Sequence, residues 1–104
     1  ILSDLCAGLV GGLGMAPGAN IGGECAIFEA VHGSAPDIAG KNLANPTSVI
    51  LASVQMLEYL GMADKAEAIR SALKEVIESG DRTTRDLGGQ HGTTEFTQAM
   101  LERL

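Results

Sequence analysis

The sequence predicts an α/β chain, rich in helix and carrying only one or two strands. Three observations lead there. Apolar residues recur at helical spacing in several separate stretches. One short run, Cys25 to Val31 (CAIFEAV), is apolar and includes Ile, Phe and Val, as a buried strand would be. Loops rich in Gly, Pro and Asn divide these segments. With 104 residues, 45% hydrophobic, no Trp, one Tyr and two Phe, the core must be aliphatic and alanine-based, on the scale of one small domain or a piece of a larger one.

Taken in order, Leu2, Leu5, Cys6, Leu9 and Val10 form one stripe of a helix that should stop at Gly11-Gly12. The chain opens inside this helix, with no Met and no basic leader, which predicts further sequence upstream and no signal peptide. Gly14 to Gly23 (GMAPGANIGG) reads as a loop, and residues 25–31 as the one strand. A single strand cannot pair with itself, so partner strands are expected from elsewhere. A second loop spans His32 to Asn45. Asn45-Pro46 then starts a helix, Asn as N-cap and Pro in the first turn. Thr47 to Leu60 is apolar nearly all round, which predicts a buried helix ended by Gly61. Asp64 to Ser79 is amphipathic, with Ala66, Ile69, Leu73, Val76 and Ile77 inward and Gly80 closing it. After a polar loop, Thr93 or Thr94 is expected to cap a last helix that turns Phe96, Ala99, Met100 and Leu104 inward. Cys6 and Cys25 have neither CxxC spacing nor a paired His, and read as reduced, buried small residues.

A net charge of −6 argues against nucleic-acid binding, which needs clustered Lys and Arg. It leaves nucleotides open, because backbone amides can hold phosphate unaided. No apolar run approaches the length of a membrane span.

Chemistry concentrates in Phe28 to Pro46 (FEAVHGSAPDIAGKNLANP). Gly33, Ser34, Ala35, Ala39 and Gly40 let the backbone approach a flat or charged ligand. His32 leaves the end of the strand, where ligands of α/β proteins tend to bind. Asp37 projects a carboxylate that can accept two hydrogen bonds from a ribose diol and that repels a 2′-phosphate. On the residues alone, this is either a ligand loop or a plain connection of strand to helix. Asp4, likewise, is either an exposed helix carboxylate or a metal ligand.

HGSAPDIAGKNLANP resembles the nucleotide loop of the isocitrate and isopropylmalate dehydrogenases, the metal-dependent β-decarboxylating dehydrogenases. Ile1 to Gly22 is similar to that family's metal-binding helix and the loop after it, and Asp86 to Met100 to the start of its C-terminal helix. The resemblance implies a partial fold of that family, which is not a Rossmann fold, with a metal helix at 1–12, a nucleotide loop at 32–45 and C-terminal helices over 46–104. It implies that His32 and Asn45 contact the adenine end of the nucleotide. The backbone of Gly33, Ser34 and Ala35, followed by Pro36, would lie near the phosphates, and Asp37-Ile38 would take the adenosine ribose. NADP-using relatives carry Lys-Tyr where this chain has Asp37-Ile38, so NAD is the cofactor implied.

In the family two aspartates spaced by four on one helix face hold Mg²⁺ or Mn²⁺; here Ser3-Asp4 matches the second, and the first would precede Ile1. The family's catalytic Tyr and Lys and its substrate-binding Arg cluster also lie upstream, so no catalytic residue is assigned. GGLGMAPGANIG is closer to the isocitrate dehydrogenases than to the isopropylmalate enzymes, with homoisocitrate dehydrogenases near. The implied whole is a homo-oligomer, a dimer, acting on an isocitrate-like 2-hydroxy acid in bacterial cytoplasm or mitochondrial matrix, away from nucleic acid and membrane. The rival is a non-catalytic regulatory subunit that binds nucleotide. Glu29 reads either as a neighbour of the nicotinamide ribose or as a buried carboxylate. Lys41 reads chiefly as a solvated loop cation, Arg85 as a surface residue or a weak nucleotide contact, and His91 as a surface or capping residue.

Overall fold

A computed structural model describes residues 1–104. Four helices, α1 (Leu2–Val10), α2 (Thr47–Tyr59), α3 (Ala63–Ser79) and α4 (Thr93–Glu102), accompany two strands, β1 (Pro17–Ile21) and β2 (Ala26–Ala30). A short 3-10 turn, Arg85–Leu87, lies between α3 and α4.

β2 does have a partner within the chain, which corrects the expectation drawn from a lone strand. β1 runs antiparallel to it, from Pro17 opposite Ala30 to Ile21 opposite Ala26. The expected loop at 14–23 therefore contains a strand. PGANI hides it because Pro, Gly and Asn are poor strand formers, and Pro is tolerated here at the strand's first residue. Nor is β2 fully buried: its side chains alternate between half-buried and exposed, and Ile27 lies outward. One sheet face rests on α2 and the other has no layer against it.

α2 is the centre of the fold, contacting both strands on one side and α3 on the other. Asn45-Pro46 marks its start, but one residue later than expected: Pro46 is the N-cap and Asn45 stands just outside it. The Asn45 side-chain oxygen accepts the Thr47 N–H at 3.0 Å and the Thr47 hydroxyl at 2.6 Å, with Pro46 between them. Thr47, Ser48, Ala52 and Val54 are buried. The expectation of a helix buried all round fails, because Val49, Met56, Tyr59 and Leu60 are exposed, Tyr59 although its ring lies 5.7 Å from that of Phe28.

α3 and α4 hold the main core: Ala72, Leu73, Val76, Phe96, Ala99 and Met100, with Ile69 and Ile77 half-buried beside it. Leu104 is exposed rather than inward, because α4 ends at Glu102 and the last residues leave the core. Gly80 closes α3 with φ 63°, a conformation that costs a side-chain-bearing residue. Arg82 pairs with Glu102, tying the loop after α3 to the end of α4.

α1 forms as its periodicity predicts, but packs on no other element, and none of its residues is buried. It carries Leu2, Leu5, Leu9 and Val10 into solvent. The radius of gyration, 14.2 Å, exceeds the roughly 13 Å of a compact chain of this length. Cys6 and Cys25 are free thiols, and both are exposed, correcting the expectation of burial. Cys6 shares the unpacked helix, and Cys25 sits in the hairpin connection, where its carbonyl accepts the Gly22 N–H.

Candidate functional site

The loop from His32 to Asn45 leaves the end of β2 and returns into α2. Ser48, only 1% exposed, fixes its point of departure. The Ser48 hydroxyl accepts the Val31 N–H at 2.8 Å and donates to the Ala16 carbonyl at 2.7 Å. The serine of α2 thus stitches the end of β2 to the segment before β1. His32, the next residue, donates from Nδ1 to the Gly33 carbonyl at 2.9 Å. Two tight turns follow, with the Ile38 N–H on the Ala35 carbonyl and the Lys41 N–H on the Ile38 carbonyl. Ala35 and Asn42 hold positive φ, at 41° and 58°, conformations that side-chain-bearing residues seldom adopt outside functional loops and tight turns.

This loop walls a cleft of about 840 Å³, within the size range of small-molecule sites. His32, Gly33, Ser34, Ala35, Ile38 and Asn45 all line it. Pro36 and Asp37 do not; both are exposed on the loop between the lining residues Ala35 and Ile38. The far wall comes from Arg85, Asp86 and Thr93. Sequence reading gave Asp86 and Thr93 no part in the site and Arg85 a surface role or a weak nucleotide contact. Arg85 is the one cationic side chain lining the cleft, and it has no ion-pair partner.

Asn45 is held from both ends. Its amide nitrogen donates to Asp86 at 2.8 Å and to the Met15 sulfur at 3.2 Å, while its oxygen caps α2. Asp86 is braced in turn by the Thr84 hydroxyl. Small residues, free backbone and one cation line the cleft, and Asp86 is its only lining carboxylate. A Cβ added at Gly33 would meet nothing within 4 Å, so the wall there is open.

The remaining candidates lie elsewhere. Asp4 is exposed on α1, and nowhere do three or more His, Cys, Asp or Glu side chains gather as a metal ion would require. The residues of this chain alone therefore do not fit a complete Mg²⁺ or Mn²⁺ site. Glu29 is exposed on β2 and outside the cleft, which removes the buried-carboxylate reading. His91 lies 3.5 Å from Glu95 on the first turn of α4. No helix is long and apolar enough to cross a membrane.

A family model described as isocitrate/isopropylmalate dehydrogenase matches residues 1–102. The chain belongs to that family. Among its relatives it is 58% identical to the mitochondrial isocitrate dehydrogenase [NAD] catalytic subunit 5 of Arabidopsis thaliana, over the whole of this chain and 28% of that protein. It is also 58% identical to the isocitrate/homoisocitrate dehydrogenase of Thermus thermophilus, over the whole of this chain and 31% of that one. The crystal structure of isocitrate dehydrogenase from Methylococcus capsulatus superposes with a TM-score of 0.90 at 55% identity, covering 98% of this chain and 31% of its own. The chain thus spans under a third of the length of these relatives. Its helix-rich architecture with a two-stranded sheet is a part of the isocitrate dehydrogenase fold, as the resemblance implied.

Proposed function

We propose that residues 32–45 form the adenosine end of an NAD site, in a protein that oxidises and decarboxylates isocitrate to 2-oxoglutarate. The observation carrying this reading is the cleft itself: its inner wall is the loop whose residues resemble the family's nucleotide loop, and Asp37 is exposed on that loop beside the lining residues. The NAD-dependent relative from Arabidopsis supports the choice of cofactor. NAD, when bound, supplies the hydride acceptor. This chain's part is to bind and orient it. His32 and Asn45 flank the adenine, the Gly33–Ala35 backbone and Pro36 lie along the phosphates, and Asp37-Ile38 take the adenosine ribose. The Asp37 carboxylate accepts hydrogen bonds from the 2′- and 3′-hydroxyls and repels a 2′-phosphate, so NADP is disfavoured.

The chain's organisation follows: residues 1–12 as metal helix, 32–45 as nucleotide loop and 46–104 as C-terminal helices of one larger domain. Asp4 is then one ligand to a divalent cation, Mg²⁺ or Mn²⁺, completed by carboxylates outside residues 1–104. The exposed apolar faces of α1 and α2 are covered by the rest of a homo-oligomeric enzyme. A location in mitochondrial matrix or bacterial cytoplasm is supported by relatives that are mitochondrial or bacterial.

The test is turnover by the full-length protein with Mg²⁺, offered isocitrate, homoisocitrate or isopropylmalate and either NAD or NADP. The reading expects NADH formation with isocitrate to exceed every other combination. Preference for NADP would reject the cofactor assignment. Preference for isopropylmalate would reject the substrate, and NAD binding without turnover would favour a regulatory subunit.

A further inference from the structure

Asn42 belongs to no strand or helix, yet it anchors the returning limb of the loop. Its Oδ1 accepts the Thr94 N–H at 3.0 Å and the Thr94 hydroxyl at 2.9 Å. Its backbone carbonyl accepts the Thr93 N–H at 3.0 Å, and two residues on, the Ala44 carbonyl accepts the Thr93 hydroxyl. A helix normally satisfies its first N–H groups with a side chain at its own N-cap. Here that position is Gly92, which has none, and the cap on Thr94 arrives from Asn42, 52 residues before Thr94. Gly92 is required for the approach: a Cβ there would stand 2.5 Å from the Asn42 carbonyl oxygen and 2.6 Å from its Nδ2. α4 is rooted in the core through Phe96 and Met100. The cleft wall at Leu43–Asn45 is thereby tied to the buried core between α3 and α4.

We infer that Asn42 is a positioning residue for the nucleotide, acting through Leu43–Asn45 rather than by contact of its side chain, whose oxygen Thr94 already engages. The inference rests on reading the cleft as the NAD site. With the latch closed, the limb is ordered before the nucleotide arrives. With it open, ordering the limb draws on binding free energy, so affinity for NAD falls. Once NAD is bound the limb is ordered again, and chemistry at the far end of the cofactor proceeds as before.

Three variants of the full-length protein separate the parts of the latch. Asn42→Gly keeps the left-handed backbone and its carbonyl bond to Thr93 but removes the side-chain cap. Asn42→Asp keeps an acceptor for Thr94, with a charge that suits a helix N-terminus. Asn42→Ala loses the cap and strains the backbone. Losing one helix cap corresponds to about a fivefold weakening, so KM for NAD should rise about fivefold in Asn42→Gly and about tenfold in Asn42→Ala. In Asn42→Asp it should stay within about twofold, and kcat at saturating NAD should hold within about twofold in all three. An unchanged KM for NAD in Asn42→Gly overturns the inference, as does a fall in kcat with KM constant. Should Asn42→Ala fail to fold, the Gly and Asp variants still decide. Failure of the underlying reading shows separately: the unsubstituted protein would then neither bind NAD nor turn over with it, which overturns both.

Discussion

Replacing Ser48 with alanine removes the side chain that joins β2, the segment before β1 and α2, and so the support on which His32 stands. Ser48→Ala deletes both the acceptor of the Val31 N–H and the donor to the Ala16 carbonyl. The two losses differ in weight. Ala16 is exposed, so water can replace the hydroxyl at its carbonyl, whereas Val31 is half-buried and the serine oxygen almost wholly so. A buried donor left unpaired costs about 1–3 kcal/mol, so the middle of that range, about 2 kcal/mol, is the expected local destabilisation. If the Val31 amide exchanges through local opening, that corresponds to roughly 30-fold faster exchange. The assay is amide hydrogen exchange on the full-length protein, followed in a peptide covering β2 and the start of the loop. Ser53→Ala is the control: its hydroxyl only returns to the Val49 carbonyl on an exposed helix face, and exchange at Val31 should not change. Equal exchange at Val31 in Ser48→Ala and the unsubstituted protein would refute the claim that this serine holds the entrance to the loop.

Three further outcomes follow from the same account. Asp37→Asn should raise KM for NAD, by about tenfold if one charge-assisted pair of hydrogen bonds is lost, while narrowing the preference over NADP; steady-state kinetics with both cofactors reads it. Phe96, fully buried in the core, should cost about 3–5 kcal/mol when cut to alanine, read as a lowered urea midpoint, and Phe96→Leu much less. Glu102 is held below the ordinary glutamate range by its hydrogen bond from Arg82 and then by the charge of that residue. A depressed carboxylate contributes its stability above the unfolded pKa and loses it as pH falls through the folded one. Thermal midpoints of the unsubstituted protein and Glu102→Gln should therefore differ slightly at neutral pH and converge in acid. Glu102 is exposed and Arg82 half-buried, so salt should shrink the difference.

What the sequence conveyed was mostly local. α3 was legible because its apolar stripe and closing Gly80 act within the helix itself, and the α2 start because Asn45-Pro46 caps within three residues. β1 was not, since PGANI forms a strand only by pairing with β2, against its own propensities. The exposure of Cys6, of α1 and of one side of α2 was equally illegible, because burial depends on neighbours that periodicity does not name. At the site, loop composition marked His32 to Asn45, and six of its candidates line the cleft. The far wall was missed. Asp86 reaches Asn45 across 41 residues, and the α4 cap comes from Asn42 rather than from Thr93 or Thr94, whose hydroxyls instead bind back to the loop. Only the folded chain brings such pairs together.

The central claim is that NAD lies against residues 32–45. It is tested most directly by hydrogen exchange on the full-length protein with and without saturating NAD. The account predicts new protection in peptides spanning Gly33 to Asn45 and in the Arg85–Thr93 wall, and weaker protection with NADP at the same concentration. Turnover with NAD that left this loop unprotected would contradict it.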